Sequence, residues 1–368
     1  MKLTIEKNGF MKVLQRIQGI VEKRNTMPIL SNALIEATNG RLNIIATDLE
    51  VYIKDSATAN ILEEGSITVN ARKLFEIVKE MPEETITINT GKEDRVTIKS
   101  GKARFTIMGL SSKDFPGFPL IEESKLESFD NALLKELIDK TSFAVSTDET
   151  RFNINGFLLE REKTKVRMIT TDGHRLAFIE KDSSKNAPNT GKESVLLPRK
   201  GVMEIRKLLD EREGDCLISV TQKNVTIKKE DTVINIRLLE GEFPDYKKVI
   251  PTDNDRRIDT DKNMLLSSLK RVSVLSTDKI KGVKFNFSKS KLILSSSSPD
   301  IGEAIEELNV DYSGEDIEIA FNARYMIDVL EVMEEQTAGI YLKDPLSPGI
   351  IRADNSNDYT YIIMPMRL

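Results

Sequence analysis

Apolar residues recur at helical spacing in Phe10, Val13, Leu14 and Ile17, so the run FMKVLQRIQGIV from Phe10 reads as an amphipathic helix. Similar stretches open at Leu133 (LLKELIDKTSFAV) and Leu265 (LLSSLKRVSVL). A second helical set reads ARKLFEIVKEM from Ala71, PRKGVMEIRKLL from Pro198 and ARYMIDVLEVM from Ala323. Between the helices, TITINT, RVTIKS, ARFTIM, LISVTQ, VTIKKE and VINIRLLE alternate apolar and polar residues with period two. They are rich in Thr, Val and Ile, which predicts half-buried antiparallel strands.

The same order of signals recurs along the chain. Both helix sets, and the segments RLNIIATD ending at Asp48, KVRMITTD ending at Asp172 and KLILSSSSPD ending at Asp300, repeat at intervals of about 125 residues. Phe115-Pro116 and Phe243-Pro244 share that spacing. Such a unit far exceeds the roughly 20 to 50 residues of a solenoid repeat, so each third is expected to be a domain with its own core. The fold class is α+β: three similar domains, each an antiparallel sheet with two helices packed on it. Polar, Pro-containing stretches near GFPLIEESKLES and KKVIPTDNDRR place the boundaries, giving domains 1–123, 124–249 and 250–368.

Composition narrows the function classes. The 368 residues are 39% apolar and 31% charged, and no window approaches the ~18 to 20 apolar residues of a membrane span. The N-terminus lacks an apolar signal-peptide core. One cysteine, Cys216, excludes an internal disulfide, and one histidine, His174, leaves too few ligands for a zinc site, so a cytoplasmic protein without metal or cofactor is expected. Trp is absent and aromatics are 6%, which argues against a surface that stacks many bases. The net charge is -5, against broad, tight DNA binding.

Catalytic constellations are missing. The tripeptides Thr90-Gly91-Lys92 and Thr190-Gly191-Lys192 are followed by Glu93 and Glu193 where a phosphate loop needs Ser or Thr, and read as turns. No GxGxxG or GxSxG motif occurs in the required setting. An enzyme reading would make His174 a general base beside Asp172; the plainer reading is a turn histidine bonded to backbone. Positive charge is uneven: Lys12, Arg16, Lys23 and Arg24 stand against Glu22, and Lys270, Arg271, Lys279, Lys281 and Lys284 against Asp278. A basic excess on equivalent helices of a repeat suits a common surface facing an anion. A three-domain interaction scaffold would explain the repeat but not those helices.

The opening MKLTIEKNGFMKVL, the run Arg24-Asn25-Thr26-Met27-Pro28-Ile29-Leu30 and Thr171-Asp172-Gly173-His174-Arg175-Leu176 carry a family resemblance. So do Pro198-Arg199-Lys200-Gly201, Phe243-Pro244-Asp245-Tyr246 and the terminal Met364-Pro365-Met366-Arg367-Leu368. Together they resemble the bacterial sliding clamps, the beta subunits of DNA polymerase III, over the whole chain. The resemblance implies a clamp fold that dimerises head-to-tail into a six-domain ring around duplex DNA, without sequence specificity or catalysis. It implies tethering of the polymerase III alpha subunit, the clamp loader and other proteins carrying a clamp-binding motif, and no membrane contact.

Carried onto matching positions, the resemblance makes Arg24, Arg72, Arg151, Lys200, Lys12 and Arg16 DNA-facing. It lines a partner-peptide cleft with Ile154, Thr171, Gly173, His174, Arg175, Leu176, Pro244, Lys248, Val249, Tyr325, Leu346, Pro348, Ile362, Met364 and Met366. Lys248 departs from the Arg of well-known members, and the loop Ser146–Arg151 carries two acids. Two methionines near the C-terminus suit a site that repacks around different peptides. The ring interface would set Phe105 and Ile107 against Val274 and Leu275, with Lys73, Lys102 and Arg104 answering Glu303, Glu306 and Glu307.

Overall fold

The computed structural model describes residues 1–21, 27–148, 150–182, 192–211, 214–275, 282–299, 301–353 and 358–367. They form two compact units, Met1–Asn131 with Lys200–Leu238 and Ala132–Arg199 with Leu239–Leu368.

In the first unit β1 (Lys2–Glu6), β6 (Thr85–Thr90), β7 (Arg95–Ser100) and β8 (Ala103–Leu110) are successive neighbours, as are β5 (Gly65–Asn70), β2 (Asn32–Thr38), β3 (Arg41–Thr47) and β4 (Val51–Glu63). The far end of β4 pairs with β1, Ile61 opposite Leu3. On its other side β8 meets β5 only through Gly109 and Leu110. Helices α1 (Lys7–Ile17) and α2 (Ala71–Lys79) bury their apolar faces within, where Leu3, Phe10, Leu14, Ile44, Leu74 and Ile88 are fully buried. Removing such side chains from water is the main favourable term in folding. The sheet continues into β16 (Thr232–Arg237), β15 (Asn224–Lys229), β14 (Cys216–Val220) and β9 (Glu127–Phe129), because β16 pairs with β4, Ile234 opposite Ile53.

The second unit repeats the plan. β13 (Lys192–Pro198), β10 (Gly156–Glu162), β11 (Lys165–Thr171) and β12 (Arg175–Asp182) continue into β24 (Tyr359–Ile363), β23 (Gly349–Ala353), β22 (Thr337–Leu342) and β17 (Arg256–Asp261). A separate sheet holds β20 (Gly302–Asn309), β19 (Lys291–Ser298), β18 (Gly282–Ser288) and β21 (Ile317–Asn322). With α3 (Asn131–Asp139), α4 (Arg199–Glu211), α5 (Lys262–Val272) and α6 (Ala323–Val332), the order β-α-β-β-β-β-α-β-β-β runs three times along the chain.

Helix starts follow local chemistry. The Glu6 carboxylate accepts the N–H groups of Asn8 and Gly9, Asn70 accepts that of Lys73, Asp261 that of Met264 and Asn322 that of Arg324. These caps fix where each strand turns into its helix, three residues before the periodic pattern alone suggests for α1 and α5. The turn reading of Thr90-Gly91-Lys92 holds, with Glu93 and Asp94 following at positive φ.

Candidate partner and nucleic-acid interfaces

The residues expected to line the cleft lie in the second unit. β12 pairs with β24, setting Leu176 opposite Ile362, and His174 C=O accepts the Met364 N–H at 2.9 Å. Leu176 and Ile362 belong to one buried cluster with Tyr246, Leu158, Ile169 and Ile350. Tyr246 opens the short 3-10 turn Tyr246–Lys248, and Val249 N–H closes it on Tyr246 C=O. The structure therefore brings segments 171–176, 244–249 and 362–366 together. Ile154, Thr171, Leu176 and Ile362 are buried, whereas Gly173, His174, Pro244, Lys248, Val249, Leu346 and Met364 are exposed. Tyr325, Pro348 and Met366 are half-buried. Lys248 pairs locally with Asp245 at 3.1 Å.

The turn Asp172–Arg175 is held by its own acid. Asp172 Oδ1 accepts the backbone N–H groups of His174 and Arg175, and Oδ2 accepts Arg175 Nε at 3.0 Å. Asp172 thus orders main chain and arginine rather than the imidazole, which fits the turn reading of His174. Gly173 has φ +90, and a Cβ there would lie 2.6 Å from Arg151 Nη2. Arg151 Nη1 donates to Asp172 C=O at 3.1 Å.

Arg175 departs from the expectation of a peptide-orienting group. It donates through Nη1 to Asp328 at 2.7 Å and through Nη2 to Phe143 C=O, and its guanidinium lies 4.3 Å from the Tyr325 ring centre. Burial opposes its charge, but Tyr361, Asp328 and Asp172 outweigh burial and push its ionisation further up. Arg175 is a packed strut of the cleft wall. Asp328 went unnoticed in the sequence; a buried acid four residues after Arg324 on a helix is its only signal. Beside this wall a pocket of about 370 Å³ is lined by Phe143, Ser146, Asp148, Arg151, His174 and Arg199, among others.

Two of the residues expected to face DNA are occupied. Arg16 is 13% exposed and pairs with the fully buried Asp55 at 2.6 Å. Lys200 pairs with Asp48 and reaches Ile20 C=O at 3.3 Å. Neither is a cation open to phosphate, because a nearly buried carboxylate needs its partner. Lys12 is exposed, Arg72 is 59% exposed and shares Glu76 with Lys73, and Arg151 is exposed. Arg24 lies outside the described residues, as do Lys23, Lys279 and Lys281. The basic excess of α5 is largely answered, Lys270 by Glu331 and Arg271 by Glu306.

At the proposed ring edges, β20 pairs among the described residues only with β19, and β8 offers most of its second side. Phe105 is 41% and Ile305 66% exposed; Val274 is exposed, and Ile107 and Leu275 are half-buried. Glu303 is exposed. Glu306 departs from the expected role, since Ser268 and Arg271 of its own chain bind it, and Glu307 pairs with Lys291 at 2.9 Å.

A three-times repeated α+β unit in which, among the described residues, β8 and β20 lack the pairing that joins β4 to β16 and β12 to β24 defines a modular protein built for assembly. Comparison with known proteins gives the family. Residues 1–119, 128–245 and 247–367 match the N-terminal, central and C-terminal domains of the DNA polymerase III beta subunit. The beta sliding clamp of Pseudomonas aeruginosa is 34% identical over 369 residues, covering all of both chains. A Bacillus subtilis sliding clamp structure superposes with TM-score 0.95 at 31% identity over 100% of this chain and 99% of its own. A P. aeruginosa clamp bound to griselimycin superposes with TM-score 0.93 at 34% identity, covering both chains fully. The chain belongs to the DNA polymerase III beta subunits, the bacterial sliding clamps. These are non-catalytic processivity factors that encircle duplex DNA and tether the replicative polymerase.

Proposed function

We propose that two copies of this chain close head-to-tail, β8 of one pairing with β20 of the other, into a cytoplasmic ring around DNA. The observation that carries this is the repeated junction: β16 pairs with β4 and β24 with β12, which leaves β8 and β20 as the corresponding strands without their counterparts. Equivalent positions give the register. Ala103 opposite Ser100 matches Thr232 opposite Lys229, so Arg104 stands in the place of Val233, which faces Lys54. Tyr52 opposite Thr47 matches Glu303 opposite Ser297, so Ile305 stands in the place of Lys54. Arg104 then faces Ile305 of the partner subunit, Phe105 faces Ala304 of the partner subunit, and Ile107 faces Gly302 of the partner subunit. Val274 and Leu275 add apolar cover, with Lys73 and Glu303 on the rim.

The domains divide at 1–123, 124–249 and 250–368, supported by a fresh first strand at β9 and at β17. Lys12 and Arg72, with Arg24 and Arg151, face the duplex and neutralise phosphate without reading bases. Closure, not affinity, keeps the clamp on DNA. The cleft rimmed by Gly173, His174, Pro244, Val249, Leu346 and Met364 takes short apolar motifs of the polymerase alpha subunit, the clamp loader and other partners; the relative that holds griselimycin supports a ligandable surface.

Sedimentation should report twice 41.5 kDa. The clamp loaded on circular duplex should be retained until the circle is cut. A monomer, or retention on linear DNA with open ends, overturns the reading.

A further inference from the structure

We infer that Phe152 and Glu242 form a second recognition point at the border of the cleft, selecting partners whose motif is flanked by an arginine. This rests on the peptide-binding role proposed for the cleft.

Phe152 is 59% exposed although it stands between Arg151 and the buried Ile154. Its ring lies close to the main chain of Gly241, where an added Cβ would come 3.3 Å from Phe152 Cε2. Gly241 has φ +112, a conformation that side-chain-bearing residues rarely adopt. The glycine therefore lets the loop approach the ring and steadies an aromatic surface that stays open to solvent. The same loop is tied to the cleft floor, since Leu239 and Phe243 pack against the cluster holding Leu176, Ile362 and Tyr246. Phe152 thus borders the peptide-binding surface.

The local charge specifies the occupant. Glu242 is exposed and has no ion pair among the described residues. The neighbouring cations are directed elsewhere: Arg151 donates to Asp172 C=O, Lys248 pairs with Asp245, and Lys247 lies 6.0 Å from the Tyr246 ring centre. An open aromatic face against Gly241, with the exposed Glu242 next in the chain, fits a planar guanidinium, which stacks on the ring while its edge donates to the acid. A nucleic acid base would also stack, but its phosphates would meet Glu242, so a peptide cation is the occupant.

The test compares two peptides sharing one Gln, Leu and Phe motif, flanked by Arg or by Ala, using calorimetry on the full-length protein. The Arg peptide should bind about threefold to tenfold tighter, and added salt should shrink that gain. Glu242→Gln and Phe152→Leu should each remove most of the gain and leave the Ala peptide's affinity unchanged. Equal affinity of the two peptides for the unmutated protein overturns the inference and leaves the cleft reading standing. Failure of both peptides to bind overturns the cleft reading with it. A gain that survives in both variants, or a single-stranded oligonucleotide that competes with the Arg peptide, also overturns it.

Discussion

Arg175 and Asp328, 153 positions apart in sequence, form a 2.7 Å ion pair in which each side chain is less than a tenth exposed. The pair ties β12 to α6 at the end of the turn Asp172–Arg175. Arg324 holds the other oxygen of Asp328 at 2.7 Å, and Asp172 completes the chain of charges. Such a network is costly to break from one side, because the remaining charge stays buried without its partner.

Arg175→Ala should lower unfolding stability by about 3 to 5 kcal/mol, the usual result of removing one member of a buried pair. Arg175→Lys should recover only part of the loss, since one ammonium cannot serve Asp172, Asp328 and Phe143 C=O from a planar fork. Urea denaturation of the two variants checks both, and a lysine variant equal to the unmutated protein would refute the strut role.

The register proposed for the ring is testable by cross-linking. Opposed residues on antiparallel strands have Cβ atoms about 4.5 to 5.5 Å apart, whereas a residue displaced by two or more positions lies beyond disulfide reach. Arg104→Cys combined with Ile305→Cys should therefore yield a covalent dimer on oxidation, while Arg104→Cys with Ile301→Cys should not. The native Cys216 is fully buried and does not interfere. The reverse pattern on a non-reducing gel would shift the register, and no cross-link in either would move the interface.

Burial pushes the Cys216 thiol up to about 11, so at pH 8 it is a protonated, inaccessible group. A thiol reagent should react at the rate of unfolding and not before. Rapid labelling of the folded protein would contradict the packing of Cys216 against Phe129 C=O at 3.6 Å.

Acid should weaken the second unit in particular. Burial raises the Glu136 and Glu180 carboxyls, but Lys140 and Lys181 on the first, and Lys165 and Arg167 on the second, outweigh it and hold both below 4.5; Arg271 does the same for Glu306. A carboxyl lowered in the folded state binds fewer protons than in the unfolded chain. Its stabilisation is full above the unfolded value and fades as pH falls through the folded one. Unfolding midpoints should be flat from pH 7 to about 5 and then fall. Glu180→Gln should flatten part of that fall; an identical acid limb would remove Glu180 from the account.

The repeat and the element types were legible because periodicity is local: helices of period 3.6 and strands of period two announce themselves within a dozen residues. The family motifs pointed to the segments 171–176 and 362–366, which the pairing of β12 with β24 sets side by side. Charge partners were not. Arg16 lies 39 positions from Asp55, and Arg271 lies 35 from Glu306, distances at which sequence carries no pairing signal. Counting basic residues on α1 and α5 therefore overstated the open positive surface. Phe152 was passed over because one aromatic in a loop has no periodic context; only its contact with Gly241 distinguishes it.

The C-terminal segment offers the sharpest separation of cleft from ring. β24 ends at Ile363, so deleting residues 364–368 leaves every sheet strand intact. The deletion removes Met364, which is 40% exposed at the cleft rim, and the two main-chain bonds from Met364 to His174 and from Met366 to Ala320. Burying one Leu or Phe of a partner against these thioethers contributes about 1.5 to 3 kcal/mol, and each 1.4 kcal/mol is about tenfold in affinity. A peptide carrying Gln with Leu and Phe should therefore bind the truncated protein about tenfold to a hundredfold more weakly. Met364→Ala alone should cost less, because Met366 and Val249 remain. The sedimentation mass should stay at the dimer value in both, since the proposed ring contact uses β8 and β20 and no residue of 364–368. Calorimetry beside sedimentation decides the matter: unaltered peptide affinity places the partner site elsewhere, and a monomeric truncated protein would join the C-terminal segment to the ring contact.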